Sequence, residues 1–435
     1  MPDLSMNNTY IENKRWMDIS GKEFALLLLF YIIWPFGAWL YSVVYITRTR
    51  SAYIIYFLFS LLICWHFSPQ NVDHYDDFLG ILDRFRSTHI STSDLGNIIK
   101  AYFTGSNGSE KELYEAFLNW FSRLFTENYH FYFFLASIPV ALCQLKTMKR
   151  LTGDARFKNA SIYCIILLVL FIIPRDIFTV QNYRFATGFW LCLMGTVNFY
   201  CNNENGRRHW PSALFILIAP LCHSALLVYW PIFFVALFVR PYRKYKLLEI
   251  AAIISIAFTF FDANLFGNIS LPFLPTSIQK WGAGYMSEES YRIFVLNEGR
   301  SGFWWVDSIF RFAMKFIYVI MTIQLVKYKK EVYANRESAT LYPFYLILFT
   351  AVNLIQFVPV LGGRFYWFIQ VFCLLVWFKA FGLTKSKMLL YLLAANSYYI
   401  IHRYGYFLGG ALSVNTNPDL FYTPLPYLIA TGFMR

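Results

Sequence analysis

The feature that most constrains this chain is a succession of apolar runs, each near the length of a bilayer crossing, joined by short polar connectors. A helix crosses the hydrocarbon core with about 20 apolar residues, and about 17 to 25 are tolerated. Such runs lie near residues 24–46, 51–68, 129–146, 159–174, 184–200, 248–262, 304–326, 341–361, 365–381 and 388–402. The fold class expected is an all-α polytopic membrane protein of about 11 to 13 transmembrane or half-membrane helices. Composition agrees, with 57% hydrophobic and only 14% charged residues, against about a quarter charged in soluble domains. The 46 Phe and 32 Tyr suit lipid-facing helices that end in interfacial belts.

The net charge of +13 reads as orientation signal, and nucleic acid is not expected as a partner. Lys and Arg gather on cytoplasmic connectors. Here they cluster at Arg48/Arg50, Lys146 to Lys158, Arg207/Arg208, Arg240 to Lys246, Lys327 to Lys330 and Lys385/Lys387. Residues 69–128 instead carry nine acidic and five basic residues, and 262–303 is nearly balanced. These two stretches, with 174–184, are expected on the periplasmic side. The polar N-terminal extension, 1–23, shows no cleavable signal pattern. A single transmembrane domain is expected over 24–402, followed by a tail, 403–435, whose apolar patch is too short to span. The seven cysteines lie in or beside apolar runs without a CxxC pair, so neither a disulfide framework nor a structural metal is indicated.

One run breaks the alternation. Residues 210–239 are flanked on both sides by basic clusters, so a single crossing would put one cluster on the wrong side. About 30 residues at 1.5 Å each are too few for two crossings and enough for two half-length helices. A broken hairpin is expected, with Pro220, His223 and Ser224 at its turn. A long helix kinked at Pro220 is the other reading. Irregular backbone at membrane depth is tolerated where it lines a cavity or is buried in protein. Within the first periplasmic loop, Leu113, Phe117, Trp120, Phe121, Leu124 and Phe125 recur at helical spacing, as in an amphipathic helix lying along the membrane surface.

Charges at the rim of a membrane are costly and default to functional candidates. Four groups share the periplasmic side. Asp73-His74-Tyr75-Asp76-Asp77 can bind sugar hydroxyls, supply a base or hold a metal, or be a solvated acidic loop; its spacing matches no metal motif. Glu112 and Glu115 open the amphipathic helix, where the helix dipole alone favours acids. Arg175, Arg184 and Arg364 stand at span ends, as snorkelling anchors or as bidentate anion ligands. His223 at the hairpin turn is either a satisfied core residue or an acid, base or phosphate ligand.

Taken in order, these residues resemble the EpsG-like and Wzy-type polysaccharide polymerases of bacterial inner membranes. The resemblance rests on Asp73-His74-Tyr75-Asp76, then Glu112 in Glu-Leu-Tyr-Glu-Ala-Phe-Leu-Asn-Trp-Phe, then Asn182-Tyr183-Arg184-Phe185-Ala186-Thr187. His223-Ser224-Ala225-Leu226 and Gly363-Arg364-Phe365 complete it. Leu113 stands where many relatives have Pro, which leaves the choice between Glu112 and Glu115 open.

What the resemblance implies is a GT-C-like glycosyltransferase that needs no metal or other cofactor. Its donor and acceptor would be undecaprenyl-diphosphate-linked oligosaccharide repeats, joined on the periplasmic face into an O-antigen-like surface polymer. A flippase and a chain-length regulator would be its partners. By that resemblance Arg184, Arg364, Arg175 and Tyr75 bind substrate diphosphate, while His223, Asp73 and Glu112 are the catalytic candidates. Two other classes stay open, a flippase of the same lipid-linked sugars and a membrane O-acyltransferase.

Overall fold

The computed structural model describes residues 21–46, 49–67, 77–87, 90–104, 112–154, 157, 161–176, 182–202, 208–239, 245–260, 304–401 and 418–433. Its regular elements over these residues are helices. In chain order they are α1 (Gly21–Ile33), α2 (Pro35–Tyr45), α3 (Arg50–Trp65), α4 (Asp77–Ser87), α5 (Thr92–Thr104) and α6 (Leu113–Arg123). There follow α7 (Tyr129–Thr152), α8 (Ile162–Ile172), α9 (Tyr183–Cys201), α10 (Ala213–Cys222), α11 (Tyr229–Leu237) and α12 (Lys246–Ser255). The last are α13 (Trp304–Lys327), α14 (Lys329–Ala334), α15 (Arg336–Ile355), α16 (Pro359–Phe381), α17 (Lys387–Ile400) and α18 (Leu425–Phe433). Four of these helices, α7, α13, α15 and α16, are long and apolar enough to cross a membrane unaided. With the shorter apolar helices beside them, the chain is an all-α polytopic membrane protein.

The run expected to be one helix over 24–46 is two. Pro35 lacks an N–H and its ring crowds the preceding turn, so α1 ends at Ile33 and α2 restarts at Pro35. The C-terminal segment packs here, with Trp34 donating its indole N–H to the Phe421 carbonyl at 2.6 Å.

The centre of the bundle is α9, in which every residue except Arg184 and Cys201 is buried. A helix that is apolar on all sides belongs inside. Its neighbours include α7, α10 and α15. Between α9 and residues 210–237 the packing is set by two glycines seven residues apart. A Cβ on Gly188 would stand 2.1 Å from Leu226 Cδ1 and 3.0 Å from the Ala219 carbonyl oxygen. One on Gly195 would stand 2.8 Å from Ile216 Cγ1 and 3.0 Å from the Ser212 oxygen. Close backbone approach of this kind is how helices associate in lipid, where no hydrophobic force drives them together.

Residues 210–237 reverse direction. The first arm, α10, ends at His223, whose backbone is extended at φ −158° and ψ 121°. A short 3-10 helix, Ser224–Val228, then leads into α11. Trp230 on the returning arm donates its indole N–H to the Ile216 carbonyl at 3.1 Å, a contact out of reach in one continuous helix of 1.5 Å rise per residue. Arg208 closes the open ends of the arms on the Val239 carbonyl at 2.9 Å. The turn lies level with Gly188, one helical turn from Arg184.

Replacement of Gly195 with Val is expected to force the two arms off α9 and cost about 1–3 kcal/mol. Thermal unfolding of the detergent-purified protein measures it. Gly96 has nothing within 4 Å of its would-be Cβ, so Gly96→Ala on α5 serves as the neutral or mildly stabilising control.

The far end of the bundle from this turn is tied by charges. Lys379, near the end of α16, sits 3.1 Å from Asp154 and 2.6 Å from Glu337, and Arg150 is 3.8 Å from Glu337. The turn end is covered by α4, α5 and α6. Ile90, Leu95 and Ala116 form a small core between α5 and α6, and Trp120 donates to Thr92 Oγ1 at 3.3 Å. The amphipathic helix expected from Leu113 onwards is α6. It buries Ala116, Leu118, Asn119 and Ser122 and leaves Phe117, Leu124 and Phe125 exposed at its edge.

Candidate active site

Four separate segments bring charge to one place beneath α6. Glu112 is the residue just before α6, in extended conformation, and its carboxylate makes no capping bond. Glu115 lies in the first turn. Both are 5% exposed. Helix-dipole stabilisation alone would leave such acids in solvent, and here both instead meet Arg184, the second residue of α9. Its Nη1 stands 2.8 Å from Glu112 Oε2 and 2.7 Å from Glu115 Oε2. A second guanidinium, that of Arg84 on α4, donates Nε–H to Glu115 Oε1 at 2.7 Å. Glu115 is thus shared between two arginines, while the other oxygen of Glu112, Oε1, faces the hairpin turn.

There it meets His223, whose Nε2 lies 3.7 Å from Glu112 Oε1 and 3.2 Å from Arg364 Nη1. On its other side the ring accepts the Ala225 backbone N–H at Nδ1, 3.2 Å away. A neutral imidazole has one N–H. With Nδ1 accepting, that hydrogen sits on Nε2 and points to the carboxylate. Donation from Arg364 to Nε2 requires the other tautomer and breaks the Ala225 bond. The ring therefore lies between a carboxylate and a guanidinium, and its tautomer decides which of them Nε2 can bond.

Arg364 enters from α16, and the helix start explains its position. Pro359 opens α16, its fixed φ suiting a first turn, and Arg364 follows one and a half turns later. The Phe185 ring lies between the charges, 5.3 Å from His223 edge-on and 5.8 Å from the Arg364 guanidinium. Arg175 is 4% exposed, stacked 3.4 Å from the Trp367 ring centre and 4.9 Å from that of Phe185. Its carbonyl is held by Gln144 and by the Trp190 indole. Arg175 thus sits behind the aromatic pair.

Tyr102 on α5 completes the cover. Its hydroxyl is pushed up to about 12, by burial first and by the Glu112 charge second, so it stays a hydrogen-bond donor across the physiological range. A cleft of about 370 Å³ opens on the other side of Arg364, between α13, α16, α17 and the turn at Ile173–Pro174.

Of the residues the sequence singled out, Glu112, Arg184, His223 and Arg364 meet directly, and Arg175 is one ring away. Asp73 and Tyr75 lie outside the described residues, and no role for them is drawn from the fold. Arg84 and Tyr102 were not anticipated. Arg84 stands in an acidic stretch where a lone arginine carries no signal, and Tyr102 is one of 32 tyrosines. Among the described residues no three metal-ligating side chains come together. The cluster can accept a proton at Glu112 or His223 and stabilise an anion at Arg364.

Residues 96–413 match the family model described as EpsG family, and the chain belongs to that family. Membership supports a polysaccharide polymerase-like role in general. Among curated proteins and among solved structures, nothing matches.

Proposed function

We propose that this EpsG-family chain joins undecaprenyl-diphosphate-linked oligosaccharide repeats into a surface polysaccharide, on the periplasmic face of a bacterial inner membrane. The observation that carries the reading is the convergence of Glu112, Arg184, His223 and Arg364 from α6, α9, the hairpin turn and α16. Glycosyl transfer from a lipid diphosphate needs a proton acceptor for the sugar hydroxyl and a cation for the leaving group. Those are the two halves of this cluster.

In the reaction, Glu112 Oε1 accepts the proton of the acceptor hydroxyl. The hydroxyl oxygen bonds to the anomeric carbon of the donor sugar, and the bond from that carbon to the diphosphate breaks. The electron pair goes to the diphosphate oxygen, whose charge Arg364 stabilises in a setting where charge interactions are strong. His223, held between the two, orients the carboxylate and passes the field of one to the other. Arg184 and Arg84 fix the carboxylates in place, and Tyr102 offers a hydroxyl to a sugar or to Glu112.

The test is reconstitution of the purified protein in liposomes with lipid-linked repeat units. A ladder of longer products is expected from the wild type. His223→Ala is expected to lower elongation by about 10²-fold, the scale for a catalytic group left about 1 Å out of place. Translocation without elongation would point to a flippase, and acyl addition at unchanged length to an acyltransferase; either result overturns the reading.

A further inference from the structure

Helix α6 is built the wrong way round for water. Its two charged side chains, Glu115 and Arg123, are turned inward and only 7% and 9% exposed. Arg123 lies over the Phe85 ring at 4.7 Å and donates Nε–H to Asn119 Oδ1 at 3.0 Å. Asn119 and Ser122 are buried beside them. What faces outward is apolar: Phe117, and then Leu124 and Phe125 just after the last turn, Phe125 being 66% exposed. Trp120 and Phe121 between them are half-buried. A helix lying in water carries its polar residues outward. The neighbouring α5 does so, exposing Ser93, Asp94, Asn97 and Lys100 against one large apolar residue, Ile99, among its described side chains.

What covers this edge follows from what it is joined to. Only residues 124–128 separate α6 from α7, a helix long and apolar enough to cross a membrane. The aromatic edge runs across that joint without a break. Phe117 stacks on Phe121 at 5.8 Å, Phe121 meets Phe125 at 5.3 Å, and Phe125 meets Phe131 on α7 at 5.9 Å. Phe131 stacks on Phe134, and Trp65 at the end of α3 stands edge-on to both. These last three rings are half-buried, at the rim of the bundle where aromatic belts sit at headgroup level. The apolar edge of α6 therefore continues the lipid-facing surface of α7. Charge reaches the surface only past the helix, at Glu127 in the connector.

We propose that α6 is seated in the leaflet at the hairpin-turn end of the bundle, with Phe117, Phe121, Leu124 and Phe125 among the acyl chains, and that this seating holds Glu112 and Glu115 over Arg184 and His223. Interfacial helices bury their apolar face about 5–10 Å into the boundary between headgroups and acyl chains. The link from lipid to site is short. Phe117 is two residues from Glu115, which puts the two side chains on opposite sides of the helix. A tilt of α6 out of the lipid therefore lifts Glu115, and Glu112 just before the helix, away from their partners. On its α5 side α6 is held by a small core, Ile90, Leu95 and Ala116, so the bilayer supplies a large share of the apolar contact that fixes it. The seating stands by itself, and its effect on elongation rests on the functional reading above.

Nitroxide labelling of the full chain in phosphatidylcholine nanodiscs tests this, with the label on Phe125→Cys and, for comparison, on Asn97→Cys of α5. Every native cysteine except the half-buried Cys201 is buried, and the chain without an added cysteine gives the background. On Phe125→Cys, accessibility to oxygen is expected to exceed accessibility to a water-soluble nickel chelate, and on Asn97→Cys the order is expected to reverse. Chelate above oxygen on Phe125→Cys would place the edge in water, and low accessibility to both would place it against protein, a second copy included; either overturns the seating. The effect on the site is read from Phe117→Ser/Phe125→Ser, expected to melt as wild type in detergent yet elongate at least about tenfold more slowly, since a catalytic group about 1 Å out of place costs about 10²-fold. Phe117→Trp/Phe125→Trp keeps a ring suited to the interface at both positions and is expected to elongate as wild type. Wild-type elongation by the serine variant, or a loss that tracks its melting temperature or is shared by the tryptophan variant, overturns the coupling to the site. Lipid-type accessibility on Phe125→Cys with no ladder from the wild type would instead overturn the functional reading and leave the seating standing.

Discussion

Glu112→Gln is expected to abolish detectable elongation while leaving the protein folded. The substitution keeps the volume of the side chain and one oxygen for Arg184, so packing beneath α6 is retained. It removes the charge that faces His223 Nε2 at 3.7 Å. A carboxamide cannot take a proton from a sugar hydroxyl, and loss of a positioned base costs about 10²- to 10⁴-fold. Glu115→Gln is the informative comparison. Glu115 is tied to both Arg84 and Arg184 at 2.7 Å, so its loss is expected to lower elongation by no more than about tenfold, as a positioning effect. The ratio of the two, measured as initial rate of ladder formation at matched protein levels, settles which acid does the chemistry. Equal losses would sink the assignment to Glu112.

That choice was open in the sequence for a physical reason. Glu112 and Glu115 are three residues apart, a spacing that on a helix puts both on one face, and both stand at a helix start whose dipole welcomes acids. Spacing cannot say which carboxylate is saturated by cations, because Arg84 is 31 residues away and Arg184 is 69. The span pattern, by contrast, was legible, since lipid forces each crossing to be a long apolar helix. So was the stretch around His223, where basic residues on both flanks conflict with a single crossing. What the pattern did not resolve was the break at Trp34–Pro35, since a helix interrupted by proline keeps its hydropathy. The charged face of α13 was hidden for the same reason. Four charges among 24 residues leave the average apolar, and only the i, i+4, i+8 spacing of Asp307, Arg311 and Lys315 and the cleft beside them set those three apart.

Arg184→Ala is expected to be the most destabilising single change in the site, and the way it destabilises distinguishes two roles for this residue. The resemblance to known polymerases implies a diphosphate ligand. The geometry gives it another task, since one guanidinium nitrogen stands within 2.8 Å of two carboxylates that are each 5% exposed. Removing it leaves two buried like charges facing each other, with Arg84 reaching Glu115 alone. Breaking a buried ion pair from one side costs about 3–5 kcal/mol, because the remaining charge stays buried with less compensation. A diphosphate ligand would behave differently, since its removal relieves repulsion among cations in the absence of substrate. Thermal unfolding without substrate therefore separates the roles. Arg184→Ala is expected to melt well below wild type, and the triple variant Arg184→Ala/Glu112→Gln/Glu115→Gln to recover most of that loss while remaining inactive. A melting temperature for Arg184→Ala at or above wild type would return the arginine to the substrate. In that case the carboxylates would need another explanation for being buried.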